Sequence, residues 1–443
     1  MTFTEPQIEA LAPKETAYKA ALKIVNGSKC QERARSERAL WGSIQGSGKK
    51  PYKTQIDIQN LAYKCSCPSR QFPCKHALAI LILDSRDVSE QGAEPEWVAE
   101  WIDKRQSKAQ PKKETKPLTE KEIAARQKSK DKRADERLVA VNSGLDELEK
   151  WLRDQVRIGL LELPNRPRED FEKLAARMVD AKASGLAGWV RALGEIDYGN
   201  MKTWQYESTA LIAKMNLLIK SWKNRDKLNP EWQHTLKTLI GWSQSSKELK
   251  TDKSAKAIKD HWLVLGREQE QKDDILIQRE WLWGCESGAS LLYLNFGTRF
   301  QKLTTSLPLA SVIEAEVAYF PSVLPQRGII RLQKNISNSL KHSPHKHKDL
   351  SSMTTQHLDQ LRQNPWANQL CYLVENLRLL KKNGSWFVID KNDYVLEVSN
   401  KAETVMKWYL YCGNQSVSTA LVYKTKSVMI LGIFSDTKYF SLC

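Results

Sequence analysis

The sequence contains no long apolar run: the longest, Ala77 to Leu83, falls far short of the ~18 residues that a helix needs to cross a bilayer. Its opening, MTFTEPQIEALAPKE, has no basic segment followed by an apolar one, so no secretory signal is expected. Together these features predict a cytoplasmic chain with no membrane partner. Cysteine is scarce, eight in 443 residues, and Cys30, Cys285, Cys371, Cys412 and Cys443 are scattered singly. In a reducing compartment they form no disulfide framework and read as small buried hydrophobes. Catalytic signatures are missing too, with no H-E-x-x-H and no nucleophile elbow. The stretch GSIQGSGKKPY falls short of a phosphate loop, because Ser43 stands where that pattern needs glycine and Lys50 where it needs Ser or Thr. The chain therefore reads as a non-enzyme, with an unrecognised activity in its C-terminal part as the residual alternative.

Acidic residues are in the minority, 52 against 69 Lys and Arg, which leaves a net charge of +17 and a pI near 9.3. A surplus of this size favours polyanions or acidic protein surfaces as partners. The length suggests two or three domains at about 150 residues each.

The pattern along the chain predicts a multidomain α+β protein. Residues 1–105 read as one module: helical periodicity over 4–26, short β-prone segments around Trp41, Ile56 and Tyr63, an apolar helix from His76, and Trp97 and Trp101 one helical turn apart. Residues 106–137 are rich in Lys and Arg and poor in apolar residues, a basic linker or solvated helix. Residues 138–265 carry amphipathic helical repeats such as Leu145, Leu148, Leu152 and Val156, with Trp222 and Trp262 at apolar helix positions. Residues 266–443 turn to strand-like runs, predicting a mixed α+β domain, and no internal repeat is evident.

Within KCSCPSRQFPCKHALAILIL, Cys65, Cys67, Cys74 and His76 supply the four N and S ligands of a structural zinc site. In an extended strand, residues two apart face the same side, so Cys65 and Cys67 converge. Cys74 belongs in the turn before the apolar helix and His76 in its first turn. Three thiolates and a neutral imidazole around Zn²⁺ carry about −1, which a helix N-terminus and Lys64, Arg70 and Lys75 would offset. Four protein ligands leave no open position, so the one zinc is structural, and losing Cys74 or His76 is expected to unfold the finger locally. Buried free thiols or a redox C-x-C pair would leave Cys74 and His76 unexplained. Lys49, Lys50 and Lys53 could join Lys64, Arg70 and Lys75 in a basic face for phosphates or a protein partner.

C-x-C followed by C-x-H, after a hairpin and before an apolar helix, resembles the SWIM-type zinc finger with its ββα layout. The likeness extends over about residues 40–200, where WGSIQGSGKKPY, WVAEWIDKR and GLDELEKWLRDQVRIGLLEL resemble the bacterial SWIM zinc finger family. That resemblance implies binding of DNA or protein. It also implies the alternative of an adaptor working with a MoxR-type AAA+ ATPase and a von Willebrand A-domain protein, whose genes often neighbour those of this family.

Overall fold

The computed structural model describes all residues except 1–2, 14, 28, 46–49, 60–61, 70–72, 87–88, 110–119, 243, 273–274, 299–302, 304–306, 338–339, 341–343, 414, 425–426, 436–437 and 443. The side chains of residues 10, 106–109, 120–127, 130, 272, 298 and 335 also lie outside the description.

The N-terminal module begins with two helices, α1 (Glu5–Leu11) and α2 (Glu15–Asn26). The sequence shows one continuous periodicity here, but Pro13 holds Ala12 in an extended conformation and splits it. A five-stranded sheet follows: β1 (Cys30–Arg35), β2 (Ala39–Ile44), β3 (Tyr52–Asp57), β4 (Ala62–Cys65) and β5 (Glu90–Gln91), in the order β4-β3-β2-β1-β5. Between β4 and β5 lies α3 (Lys75–Ser85), and α4 (Glu96–Ala109) closes the module.

The sheet is sandwiched. Alternation sends Leu40, Ile44 and Ile56 to the α3 side, whereas Ala39 and Trp41 meet Val98 and Ile102 of α4 on the other. The contact of α3 with the sheet depends on Gly42, where a Cβ would meet Glu32 O and Ile80 Cδ1, each at 2.6 Å. From His76 to Asp84 every residue of α3 is buried, so the helix is core on all sides.

The helical domain contains α5 (Glu120–Ile158), α6 (Arg168–Asp180), α7 (Ser184–Gly194), α8 (Trp204–Lys223), α9 (Pro230–Ile240) and the short α10 (Ser246–Thr251). Its apolar stripe is the predicted one: Leu145, Leu148 and Leu152 of α5 pack against Phe171, Met178 and Trp222. Val156, expected on that stripe, is exposed. Two boundaries differ from those read in the sequence. The segment 106–137, read as a basic linker or solvated helix, is helical from Glu120 onward, where α5 begins. The helices expected through residue 265 end at Thr251, and Trp262 lies in a strand from Ala257 that buries it inside a barrel.

That strand is β6 (Ala257–Lys272), followed by β7 (Ile275–Gly284), β8 (Ser290–Thr298), β9 (Val312–Tyr319) and β10 (Arg327–Ser337), which close into a barrel. Its first strand pairs with the second and fourth, the third runs parallel to the fifth, and the fifth pairs with the fourth. After α11 (Leu350–Gln363) the same connectivity recurs in β11 (Leu370–Lys382), β12 (Ser385–Ile389), β13 (Val395–Val398), β14 (Val417–Lys424) and β15 (Ser427–Ser435). The parallel β13–β15 pairing closes this ring, α12 (Ala402–Cys412) lies between its third and fourth strands, and β16 (Lys438–Ser441) is added outside. The expectation of no repeat is therefore corrected: the C-terminal part is one barrel topology used twice.

The two barrels pack wall to wall. Outward residues Leu263, Leu265, Trp281 and Val312 of the first meet Leu373, Ala420, Val422 and Leu431 of the second, and Tyr439 donates to Leu265 O at 2.8 Å. The N-terminal module shares its apolar core with the first barrel, Ile8 and Leu78 belonging to the same cluster as Val264 and Ile313. Gln7 Nε2 donates to Leu309 O at 3.3 Å across that junction. Of the scattered cysteines, Cys371 is buried and Cys30, Cys285 and Cys412 partly so. Among the described residues no helix is long and apolar enough to cross a membrane.

Candidate metal centre

The sheet-to-helix connection of the N-terminal module brings Cys65, Cys67, Cys74 and His76 together, with one ligand atom of each within 4.8 Å of all the others. Each arrives by a different local device. Cys65 is the last residue of β4, paired with Thr54 of β3. The ladder is prolonged past it, Ser66 N donating to Lys53 O at 3.0 Å and Lys53 N to Ser66 Oγ at 3.0 Å. Cys67 then lies in the bend that follows, not in a continuing strand. Cys74 is the N-cap of α3, with an extended backbone and no capping bond from its side chain, so its sulfur stays free for the cluster. His76 stands in the first turn of α3, as its spacing requires.

The distances suit a tetrahedral zinc. His76 Nδ1 lies 3.7 Å from Cys65 Sγ and 4.0 Å from Cys74 Sγ. Zn–S and Zn–N bonds at the tetrahedral angle put such atoms about 3.6 Å apart. The donor set also has the right charge. The Cys65 thiol is pulled down to about 3, first by a hydrogen bond from Cys74, with His76 and Thr54 adding to it. The Cys74 thiol is pushed up by that same bond and by burial, and Cys67 chiefly by burial. Three adjoining thiols cannot all ionise on their own, and a dication removes the conflict. These residues fit one structural Zn²⁺ bound by four protein ligands. Around them, Tyr52 lies against the His76 ring at 4.9 Å and Thr54 Oγ1 is 3.1 Å from Cys65 Sγ. Cys74 and His76 are 1% and 4% exposed, so α3 and the sheet shield most of the cluster.

The basic residues expected beside the zinc do not form one face. Lys53 and Lys64 are exposed on the side of the sheet that carries Trp41 and α4, Lys53 with its Nζ 5.4 Å from the Trp97 ring. Lys75 begins α3 on the opposite side. The division follows from strand alternation: Lys53 and Gln55 point away from the α3 side to which Ile56 points. Lys50 is exposed just before β3, whereas Lys49 and Arg70 lie outside the described residues.

Sequence reasoning missed one further cluster, Asp260, His261 and Glu286 at the mouth of the first barrel. Its Asp260 carboxylate is already saturated, accepting from the backbone N–H groups of His261, Glu286 and Ser287 and from Ser287 Oγ, so it anchors the β7–β8 turn.

Residues 52–83, which span β3, β4, the four ligands and most of α3, match the SWIM zinc finger, and residues 136–240 match the SWIM-associated four-helix bundle domain. No curated protein and no solved structure matches the chain. The chain thus carries a SWIM zinc finger on its metal centre and a SWIM-associated four-helix bundle in its helical domain.

Proposed function

We propose that the protein is a non-enzymatic binding protein whose finger is a zinc-stapled platform for nucleic acid. The observation that carries this reading is the placement of Lys53 and Lys64. They are exposed side by side on β3 and on β4, the strand at the edge of the sheet. Lys64 lies opposite Gln55 and Lys53 opposite Ser66, which makes the two lysines diagonal neighbours about 7 Å apart, and Lys50 precedes them in the chain. Because α3 is buried on every side, it offers no recognition helix. Contact therefore falls on the strand edge, through phosphates, without a base-reading element. A fluorescence-anisotropy titration of the zinc-loaded protein with labelled DNA tests this. The double variant Lys53→Glu, Lys64→Glu should weaken binding severalfold and flatten its dependence on salt. An unchanged salt slope in that variant would remove the finger edge from the interface.

A second reading, an adaptor for a protein such as an AAA+ ATPase or a von Willebrand A-domain protein, is favoured by α12. There Met406, Tyr409 and Leu410 are 50%, 48% and 78% exposed along one helical face. Failure of Leu410→Glu to alter the proteins co-purifying with the chain would count against it.

A further inference from the structure

Arg327 of the first barrel has no counter-charge among the described residues. Arg327 opens β10 with its guanidinium over two phenyl rings, Cζ lying 4.7 Å from the centroid of Phe320 and 5.9 Å from that of Phe296. No carboxylate of the described residues faces it: burial is the one cause of the lowering of its pKa, and no hydrogen bond or ion pair from its side chain joins the described residues. A partly desolvated cation without a partner is costly, and aromatic faces compensate it only in part. Other arginines of this barrel are paired, Arg267 with Glu280, Arg279 with Glu270 and Arg331 with Glu316.

Its surroundings complete the case. Gly328, next in the strand, faces the barrel interior, where a Cβ would meet Leu291 Cδ1 and Val317 Cγ1, so Arg327 points outward. Phe296 is outward as well, on β8, and is 51% exposed. Ile277 stands opposite it on β7. A half-exposed ring, a guanidinium at its margin 5.9 Å from the ring centroid with no partner among the described residues, and an apolar neighbour in Ile277 form a slot for a flat base with its phosphate.

Such a slot has a meaning on this topology. A closed five-stranded barrel in which the first strand pairs with the second and fourth and the third runs parallel to the fifth is an OB-type barrel, a scaffold whose second and third strands offer a ligand face. Phe296 and Ile277 stand on those strands. In the second barrel the equivalent third strand, β13, carries Val395 and Glu397 outward and no aromatic residue, so the two copies are not equivalent.

We propose that Phe296 and Arg327 form a binding site for single-stranded nucleic acid on the first barrel, with Phe296 stacking a base and Arg327 meeting the adjacent phosphate. A single strand is the occupant because a duplex keeps its bases stacked on one another and cannot offer one to Phe296. The site stands apart from the finger edge and does not rest on it.

The test is anisotropy with fluorescein-labelled oligothymidylate and an unlabelled duplex competitor, using the full-length zinc-loaded protein. Wild type should prefer the single strand. Phe296→Ala, at an exposed position that leaves the core intact, should weaken binding about tenfold with the salt slope unchanged. Arg327→Ala should weaken it and lower the slope by about 0.7, the value of one phosphate contact on a single strand, while Arg327→Lys keeps the slope. The finger variant Lys53→Glu, Lys64→Glu should retain the effect of Phe296→Ala, which keeps the two sites distinguishable. Equal affinity of wild type and Phe296→Ala, equal competition by duplex, or no binding of oligothymidylate would each overturn the proposal.

Discussion

Removing the metal should release the connection between β4 and α3 while leaving α3 docked. Leu78, Ile80, Leu81, Ile82 and Leu83 of that helix are all buried. At roughly 2 kcal/mol for each side chain of this kind, their burial is worth on the order of 10 kcal/mol. Structural zinc contributes an apparent energy of similar size, about 10 kcal/mol or more. In an isolated finger the metal is nearly the whole source of order. Here the apolar contacts are made with α1, α2, β2 and β3 and need no metal, so they survive chelation. The loss therefore falls on the bend that carries Cys67, between the end of β4 and the first turn of α3. Hydrogen exchange followed by mass spectrometry, on zinc-loaded and chelator-stripped protein at neutral pH, measures both regions together. The amide of Cys67 should lose protection, while those of Leu81 and Leu83 stay within about tenfold of the loaded protein. If the α3 amides came to exchange as fast as that of Cys67, apolar burial would not be what holds the helix, and the reasoning would fail.

Glu280 is fully buried in the first barrel, where its Oε1 accepts from Arg267 Nε at 2.9 Å and from Leu307 N at 3.1 Å. Glu280→Ala strands the Arg267 guanidinium and should cost about 3–5 kcal/mol in urea unfolding, with Glu280→Leu, Arg267→Met recovering much of it; a single variant as stable as wild type would refute this. Glu94 ties α4 to the turn before β2 by accepting from Ser36 Oγ and Arg38, and the Arg38 bond comes first among the causes that hold its carboxyl below the ordinary value of 4.5. Because the folded value is the lower one, this stabilisation is present above pH 4.5 and fades as acid carries the protein down through the folded value. Glu94→Gln should lose ~1 kcal/mol at neutral pH, Arg38 being partly exposed, and the difference from wild type should shrink in melts below pH 4; a difference constant down to pH 3 would count against the pairing.

The metal centre was legible because its information is local. Four ligands within a dozen residues fix their own geometry once a strand end and a helix start are placed. The helical domain was legible for a similar reason, since Leu145, Leu148 and Leu152 announce a face by spacing alone. The barrels were not. Their closure rests on two-residue parallel pairings, Arg327 with Leu292 and Glu397 with Ser427 among them, between segments far apart in sequence. The run around Trp262 suits a helix or a strand equally, and only the partners β7 and β9 decide it. The basic stretch before residue 137 could be read as a linker or a solvated helix alike, because it has almost no apolar residue to mark a face. Gly42 carried information that could not be read beforehand, as nothing local says that Ile80 will rest on it.

The apolar core shared by the finger module and the first barrel joins parts of the chain that are made at different times. Leu78 and Ile80 lie in the same cluster as Trp262, Val264 and Ile313, and the entire helical bundle is translated between them. At about 5–20 residues per second, the ribosome takes on the order of ten to thirty seconds to pass from α3 to β6. For that interval the nascent finger carries an uncovered hydrophobic surface and depends on zinc capture and its own two N-terminal helices to hold its shape. A clasp at the β4–α3 connection would matter most in that interval, before the barrel covers the shared core.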